Sequence, residues 1–393
     1  MKTPLQNGSA GNPGGKRVPA LRSALIRAIS WPLPLPARRR CQVAIIKPDR
    51  LGDFVLASSV IRTLLDHFGP RDCLLAVSSI AAPFAAREFP DTPRMIVPAS
   101  IGLSRSLRPS LTLRLRLSLQ RFDRVVCLRH QRGDFDEILL SWFRARRFHL
   151  GEDVGQKTFQ ADVGRRINFK HLSASPADSC RELMMHRAVA EDAIDRPLVA
   201  DELVPRLREL RETKAPGIVI SPFGSARIRD FPESLLNHSA RRLTQKHGLS
   251  LRFIGPLADE SRLRELVRRL NLPAPAEVSI EVFSDPLAFA SAVAGAAGVI
   301  SVETATAHLA TSYDRAGMFL LGGGHFGQFA PWRRSTRQQW ISHALPCYGC
   351  DWSCPYPEPY CMTRLPMDRF LQSVDEFAAT VAAAEASRRA AGS

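Results

Sequence analysis

The stretch VAIIKPDRLGDFVLASSVIRTL, residues 43–64, joins two apolar segments and carries Gly52 and Asp53 where they meet. The first segment predicts a buried strand over residues 42–47, and the second predicts a helix over residues 54–68. Ligands of parallel α/β sheets bind beyond the carboxyl ends of the strands, so we expect Asp53 to face a cleft. A carboxylate there is a candidate general base for a substrate hydroxyl. A purely structural role also fits, because the helix dipole stabilises an acid at a helix start.

The alternation of strands and helices continues along the chain. Further strands are predicted at 73–78, 94–98, 124–129, 217–221, 250–255, 277–283, 298–302 and 317–322, and helices at 81–88, 134–145, 232–247, 258–270 and 286–295. Such alternation is typical of parallel sheets covered on both faces. We therefore expect an α/β chain of two doubly wound, Rossmann-like domains that face a cleft. The predicted bounds are a mobile basic tail at 1–40, an N-terminal domain at 41–200, a charged linker at 201–215, a C-terminal domain at 216–365 and a final helix at 366–393.

Composition and charge narrow the class of protein. The chain has 393 residues, 45% of them hydrophobic, which is enough for two domains with sizeable cores. Its formal net charge of +16 comes mostly from arginine and suits nucleic acid, an anionic membrane surface or a phosphorylated substrate. No nucleic-acid-binding motif accompanies the charge, so we expect no nucleic-acid partner.

Targeting and membrane signals are weak. Arg22 and Arg27 interrupt the apolar residues near the start, so no secretory signal is predicted and a cytoplasmic location is expected. Segment 286–302 is short and rich in Ala and Gly, which predicts a helix and a buried strand rather than a membrane span. In the tail, residues 21–29 place apolar side chains on one helical face. That face fits peripheral contact with anionic lipid on the inner face of the cytoplasmic membrane, a short helix leading into the domain, or no ordered structure.

A loop of the second half has the composition of a phosphate site. SPFGSARIRDFP, residues 221–232, lies between a predicted strand and a predicted helix. Backbone amides around Gly224 and Ser225 are candidates to face a phosphate, and the Arg229 guanidinium suits bidentate phosphate contact. Taken alone, an ordinary strand-to-helix loop with a surface arginine is the better explanation of this segment.

The segment VISVETATAHLATS, residues 299–312, is a second candidate anion site. It leaves a buried strand and enters a helix that carries His308. Thr304 or Thr306 can cap this helix, which leaves backbone amides for an anion. A core histidine is the alternative for His308.

In this order and at these spacings, the motifs resemble the heptosyltransferase family of bacterial lipopolysaccharide synthesis, glycosyltransferase family 9, over residues 42–365. RLGDFVLASSVIRTL resembles the family's opening Gly-Asp motif, and GSARIRDFP resembles its Lys-x-Trp-Pro loop, with Arg229 in the lysine place. VETATAHLA resembles its Asp-Thr-Gly-x-x-His-x-Ala segment, with Glu303 for Asp and Ala305 for Gly.

The resemblance implies a GT-B fold and an inverting, metal-independent sugar transfer without a cofactor, from a nucleotide diphosphate donor such as ADP-heptose. The N-terminal domain would take the acceptor, a lipopolysaccharide core or another anionic glycan, and the C-terminal domain would bind the nucleotide sugar. Asp53 would be the base, and Arg229 would neutralise the leaving diphosphate. Glu260, or its neighbour Asp259, would bind the nucleotide ribose. The remaining donor-site residues implied are Ser225, Glu303, Thr304, Ala305 and His308.

Two departures from the family pattern keep another class of function open. Glu303 carries its carboxylate one methylene further into the site than Asp, and Ala305 adds a methyl where a backbone closely approaches phosphate. Both changes favour, as the alternative, a catalytically degenerate GT-B-like binding protein at the inner membrane.

The acceptor side is marked only by basic residues. Arg129, His130 and Arg132 follow a predicted strand end, so they are candidate acceptor contacts, with a solvated basic surface as the alternative. Nearby, LTLRLRLSL, residues 111–119, alternates like a strand.

Four cysteines near the end of the chain have the spacing C-x2-C-x3-C-x6-C; they are Cys347, Cys350, Cys354 and Cys361. Four thiolates can complete a tetrahedral zinc site. The pattern lacks two CxxC pairs, however, and many members of the resembled family carry a cysteine cluster here. We therefore expect a local structural role and no bound metal.

Overall fold

A computed structural model of the chain describes residues 39–98, 107–129, 134–151, 169–172, 180–210, 217–272 and 276–392. The strands are β1 Arg39–Lys47, β2 Cys73–Ser78, β3 Arg94–Val97, β4 Gln120–Cys127, β5 Ala145–Gly151, β6 Phe169–Leu172, β7 Ile218–Ser221, β8 Leu251–Pro256, β9 Val278–Phe283, β10 Gly298–Val302, β11 Ala316–Leu320 and β12 Gln338–Ile341. The helices are α1 Leu51–Phe68, α2 Ala82–Glu88, α3 Leu107–Ser118, α4 Asp134–Ser141, α5 Arg181–Ile194, α6 Ala200–Leu203, α7 Glu233–Arg241, α8 Glu260–Leu270, α9 Pro286–Ala294, α10 Ala305–Ser312, α11 Tyr360–Thr363 and α12 Met367–Gly392.

The strands form two parallel sheets of six. Their orders are β3-β2-β1-β4-β5-β6 and β9-β8-β7-β10-β11-β12, so the two halves share one doubly wound order. In each half the order reverses between the first and fourth strands, and the connections on the two sides diverge there to leave a crevice. The expected pair of Rossmann-like domains is therefore confirmed, and the two crevices are the places to look for ligands.

Burial explains why the opening stretch forms a strand and a helix. Val43, Ala44, Ile45 and Ile46 are all buried, as in a central parallel strand covered on both faces. Their side chains alternate between two apolar clusters. One of these clusters continues through α1 into α10 and α9 of the second half, so the two halves share an apolar contact.

Two backbone hydrogen bonds also join the halves. At the start of α5, the N–H of Arg181 donates to the Gly327 carbonyl at 2.8 Å, and the N–H of Glu182 donates to the Gln328 carbonyl at 2.9 Å. The first amides of a helix lack partners within the helix, so this loop of the second half satisfies two of them.

The strand prediction for residues 111–119 is wrong, because most of this segment lies in helix α3. Leu113 and Leu117 are buried against the sheet, whereas Leu111 and Leu115 are 52% and 45% exposed. Leucines at every second position also recur at i and i+4, so the same letters satisfy a helical face.

The remaining predicted elements agree with the structure, apart from their ends. Segment 286–302 forms α9 and β10 as predicted. Strands β5, β6 and β12 and helix α5 were not predicted, and β1 begins within the predicted tail. Within the described residues, no helix is both long and apolar enough to cross a membrane. The rest of the tail, residues 1–38, lies outside them.

Candidate active site

The crevice of the first half is lined by charged groups at the end of β1. Lys47 is buried, and its Nζ donates to the Leu128 carbonyl at 2.7 Å and to Glu182 Oε1 at 2.8 Å. Asp49 Oδ2 lies 3.2 Å from the same ammonium. Burial works to lower the pKa of Lys47, but the surrounding carboxylates outweigh burial and raise it. Lys47 is therefore a fixed positive charge below the cleft.

Asp53 lies in the first turn of α1, as predicted, and is partly buried. Burial raises the pKa of this carboxyl to about 6, with Lys47 and His308 opposing the change and Asp49 and Glu182 adding to it. A carboxylate with such a pKa is still mostly ionised at pH 7 and accepts a proton more readily than an ordinary aspartate. The environment is the one that a general base needs.

Arg229 lies at the crevice of the second half, in a short 3₁₀ turn after β7. Its guanidinium donates to Ser225 Oγ at 2.9 Å, to Glu303 Oε2 at 2.7 Å and to the Glu303 carbonyl at 2.9 Å. The indole of Trp352 covers the guanidinium, with Cζ 5.4 Å from the ring centre. The structure thus brings together three of the predicted donor residues, and the arginine already has a carboxylate partner.

Gly224 permits this loop to close on itself. A Cβ at Gly224 would lie 2.5 Å from Arg229 Cβ and 2.9 Å from the Arg229 carbonyl oxygen. Both contacts are shorter than van der Waals distance, so a side chain here would push Arg229 away from the crevice.

The start of α10 faces the same crevice. Thr304 is the N-cap residue, but its hydroxyl donates to the Val302 carbonyl at 3.3 Å, and Thr306 Oγ1 donates to Ser221 Oγ at 3.0 Å. Thr304 therefore takes the predicted N-cap position, but neither threonine side chain makes a capping hydrogen bond to α10. The first amides of α10, beginning at Ala305, remain suited to an anion.

His308 is buried in α10 and held by an indole. Trp332 Nε1 donates to His308 Nδ1 at 3.0 Å, and the two rings are stacked with an interplanar angle of 10°. Because an indole N–H can only donate, Nδ1 is the acceptor and the proton of a neutral ring lies on Nε2. That nitrogen is 3.8 Å from Glu303 Oε1. The buried imidazole of His308 therefore lies between the Trp332 indole, which donates to Nδ1, and the Glu303 carboxylate beside Nε2.

The two crevices meet where α1 approaches α10. A Cβ at Gly52 would lie 3.1 Å from His308 Cδ2 and 3.4 Å from Ala305 Cα. Gly52 therefore allows the two helix starts to touch, and it brings Asp53 beside the predicted donor loop. The Asp53 carboxylate and the start of α10 therefore lie side by side where the two halves meet.

The predicted acceptor and ribose residues have other partners. Arg129 Nε binds Asp49 Oδ1 at 2.7 Å, and the same guanidinium also binds Asp136. His130 and Arg132 lie outside the described residues. Glu260 begins α8, where it accepts two hydrogen bonds from Arg264 on the protein surface. Asp259, in contrast, lies close enough to Asp230 of the 221–232 loop to contribute to the raised pKa of that carboxyl.

Residues beyond the motifs complete the site. Lys47, Glu182 and Trp332 contact the predicted residues or lie beside them, and sequence reasoning missed all three. A lysine at the end of an otherwise apolar strand was a signal for Lys47, since a buried ammonium needs a carboxylate partner.

The cysteine segment packs against the second half beside the site. Tyr348 and Trp352 cover the glycines at 322–324, and the N–H of Gly323 donates to Cys361 Sγ at 3.3 Å. Burial raises the pKa of the Cys361 thiol. Within the described residues, no cluster of His, Cys, Asp or Glu side chains is arranged to hold a metal ion.

Solved structures with a similar fold include glycosyltransferases. No family model and no curated protein matches the chain. The Escherichia coli ADP-heptose lipopolysaccharide heptosyltransferase II is 15% identical with a TM-score of 0.62, and the match covers 88% of this chain and 99% of that one. A family 9 glycosyltransferase of Veillonella parvula is 12% identical with a TM-score of 0.64, covering 88% and 98%.

Escherichia coli heptosyltransferase WaaC with ADP-2-deoxy-2-fluoro heptose is 15% identical with a TM-score of 0.58, and the match covers 85% of this chain and 99% of that one. These matches confirm that the chain has the two-domain GT-B fold and that it resembles heptosyltransferases over most of its length.

Proposed function

We propose that this protein is an inverting, metal-independent glycosyltransferase that moves heptose from a nucleotide diphosphate donor, ADP-heptose, to a hydroxyl of a lipopolysaccharide core or related glycan. The observation that carries the proposal is the meeting of Asp53, whose pKa is raised to about 6, with the start of α10 across the cleft. The GT-B neighbours include enzymes named for ADP-heptose and heptose transfer, which supports this donor.

Asp53 acts as the general base in this proposal. Its carboxylate takes the proton of the acceptor hydroxyl as the oxygen attacks the anomeric carbon from the face opposite the leaving group. The bond between the sugar and the phosphate breaks, and its electron pair leaves with the nucleoside diphosphate. Attack from the opposite face inverts the anomeric configuration.

Arg229 and the first amides of α10 stabilise the leaving diphosphate. Negative charge grows on the phosphate in the transition state, so fixed positive groups aimed at that position lower the barrier. Glu303 holds the Arg229 guanidinium in the free protein. We propose that the donor diphosphate takes over part of this contact, so that donor binding and release of Glu303 are linked.

Asp53→Asn tests the proposal, because the amide keeps the shape of the side chain and removes its basicity. We expect transfer from ADP-heptose to lipopolysaccharide-core acceptors to fall by on the order of 10²–10⁴, with ADP binding retained. In the wild type the rate should fall as the pH drops below about 6, since protonation removes the base. Turnover of the variant close to the wild-type value would show that Asp53 has only a structural role at the start of α1.

The acceptor side and the membrane remain part of the proposal. Arg129 lies at a strand end of the first half, where an anionic glycan can approach.

With a net charge of +16 the protein suits an anionic cytoplasmic membrane surface, where each nearby basic residue contributes about 1 kcal/mol to the free energy of binding. Sedimentation with anionic vesicles should be lost at high salt and weakened by deletion of residues 1–38. Equal binding to neutral vesicles would contradict surface attachment.

A catalytically degenerate binding protein at the membrane is the second candidate, and the Arg229–Glu303 ion pair favours it. A carboxylate on the phosphate-binding arginine weakens the positive field that a diphosphate needs. Tight ADP binding together with no donor hydrolysis and no transfer to any core acceptor would select this candidate.

A further inference from the structure

A buried ion pair lies between the end of β1 and α5, close enough to Asp53 for both of its charges to act on that carboxyl. The carboxylate of Glu182 is 2% exposed and the ammonium of Lys47 is 1% exposed, and Nζ and Oε1 are 2.8 Å apart. His186 Nε2 lies 3.2 Å from the same oxygen and 3.1 Å from the Leu128 carbonyl. A buried pair of this kind persists only when both charges are compensated, and here each has a partner.

Both members of the pair are charged at neutral pH. Burial works to raise the pKa of Glu182, yet Lys47 and His186 hold it well below its usual range. The pKa of Lys47 is raised by the carboxylates around it, against the effect of burial. The pair therefore places one positive and one negative charge under the cleft.

Four charged or titratable groups act on the Asp53 carboxyl, and they come from each element packed around it. Lys47 and Asp49 belong to β1 and the loop after it, Glu182 belongs to α5, and His308 belongs to α10. A lone ammonium near a carboxylate stabilises its ionised form and makes it a weaker base. Lys47 acts on Asp53 in this sense, and Glu182 acts in the opposite sense and offsets part of the effect.

We propose that Glu182 is a positioning residue for the transfer reaction, because it engages the Lys47 ammonium and so keeps the Asp53 carboxylate basic enough to accept the acceptor proton. The inference rests on the proposed role of Asp53. It assigns to α5, which belongs to none of the predicted motifs, control over the strength of the base.

The place of Glu182 in the fold strengthens this inference. Its own N–H donates to the Gln328 carbonyl of the second half, while its side chain reaches Lys47 of the first half. The backbone of Glu182 is thus held by the second half, while its carboxylate pairs with the Lys47 ammonium of the first half.

The test measures the pKa of Asp53 directly, by ¹³C NMR of side-chain carboxyls in the full chain without substrate, with Asp53→Asn used to assign the signal. Glu182→Gln keeps the shape of the side chain and removes its charge. We expect the pKa of Asp53 to fall by roughly half to one pH unit, because Glu182 then no longer offsets Lys47 and only Asp49 still does. The acid limb of the pH–rate profile should move to lower pH by the same amount, and the plateau rate should fall because the base is weaker.

Matched variants separate charge from folding. Glu191→Gln removes another carboxylate of the same helix, one that binds Arg187 at 2.8 Å, and should leave the Asp53 pKa unchanged. Lys47→Met should raise it. The double variant Lys47→Met/Glu182→Gln replaces the charged pair by a neutral one and should return the Asp53 pKa towards the wild-type value, so the proposal stays testable if Glu182→Gln alone does not fold.

The outcomes distinguish the inference from the proposed function. An Asp53 pKa that is the same in Glu182→Gln and Glu191→Gln, while Asp53→Asn is inactive, overturns the inference alone. Normal transfer by Asp53→Asn overturns the proposed function and the inference with it. A lowered pKa together with a matching shift of the acid limb supports both.

Discussion

At the residue scale, Arg229 has one property that favours binding of a diphosphate and one that opposes it. It has the planar donors that a diphosphate needs, and it already spends two of its contacts on Glu303. Since Glu is one methylene longer than the Asp of the resembled motif, the reach of Glu303 explains how the carboxylate meets the guanidinium across the crevice.

Arg229→Ala should therefore weaken binding of ADP by roughly 1.5–3 kcal/mol, the range for a hydrogen bond to a charged group, and should change binding of adenosine much less. Isothermal titration with both ligands measures the difference. Arg227→Ala is the control, because Arg227 lies exposed in the same 3₁₀ turn and its removal changes the net charge equally. Equal losses for ADP and adenosine would take Arg229 out of the phosphate site.

Trp332 determines which nitrogen of His308 carries the proton. Trp332→Phe keeps an aromatic ring beside His308 and deletes the N–H that donates to Nδ1. We expect ¹⁵N spectra of labelled histidine to show a new population with the proton on Nδ1, and transfer to fall about 3- to 10-fold. Trp340→Phe is the matched control, since Trp340 donates to the Trp332 carbonyl and not to His308. An unchanged ¹⁵N spectrum in Trp332→Phe would contradict this role.

The sequence predicts the site residues that lie in motifs, but it does not predict the buried residues that contact them. Asp53, Arg229 and His308 each follow a strand that is legible as an apolar run, so their approach to one cleft could be predicted. Lys47 and Glu182 are 135 positions apart, and no local pattern pairs two residues across such a separation. Their contact depends on how α5 packs against α1 and against β4 and β5, which is a property of the folded chain.

At the scale of elements, the starts of α1 and α10 touch through Gly52. Gly52→Ala would place a methyl 3.1 Å from His308 Cδ2, so the two helix starts must separate by a few tenths of an ångström. We expect transfer to fall while the melting temperature changes little, because the apolar cluster behind the contact is kept. Gly255→Ala is the control, since its methyl would meet Leu263 at an ordinary 3.6 Å. A variant with wild-type turnover would show that this contact does not set the catalytic geometry.

Helix α3 shows where element prediction fails. Its leucines alternate with polar residues, and alternation alone does not separate a half-buried strand from a helix in which every second leucine, at every fourth residue, is buried. The long parallel strands were predictable because they are buried on both faces and read as uninterrupted apolar runs. Strand β5 begins with Ala145, Arg146 and Arg147, which are not buried, so it lacks that signal.

At the scale of the whole molecule, both crevices are bridged by the same kind of contact. Asp49 after β1 pairs with Arg129 after β4, and Arg229 after β7 pairs with Glu303 after β10. Each ion pair connects the two loops at the reversal point of its sheet. An anionic ligand that binds the arginine of either half would therefore displace the carboxylate that the arginine holds in the free protein. Ligand binding in each half should then depend on the geometry of the ion pair in that half.

The two hydrogen bonds from the start of α5 to residues 327–328 make the cleft observable. They join backbone atoms only, and separation of the halves would expose the amides of Arg181 and Glu182 to exchange with deuterium. ADP, by holding the cleft closed, should slow exchange at these two amides and leave those of Met185 and Val189, deep in the same helix, unchanged. Equal slowing along all of α5 would instead mean that ADP stabilises the helix as a whole. The exchange rate of these two neighbouring amides thus reports how often the two halves of the molecule separate.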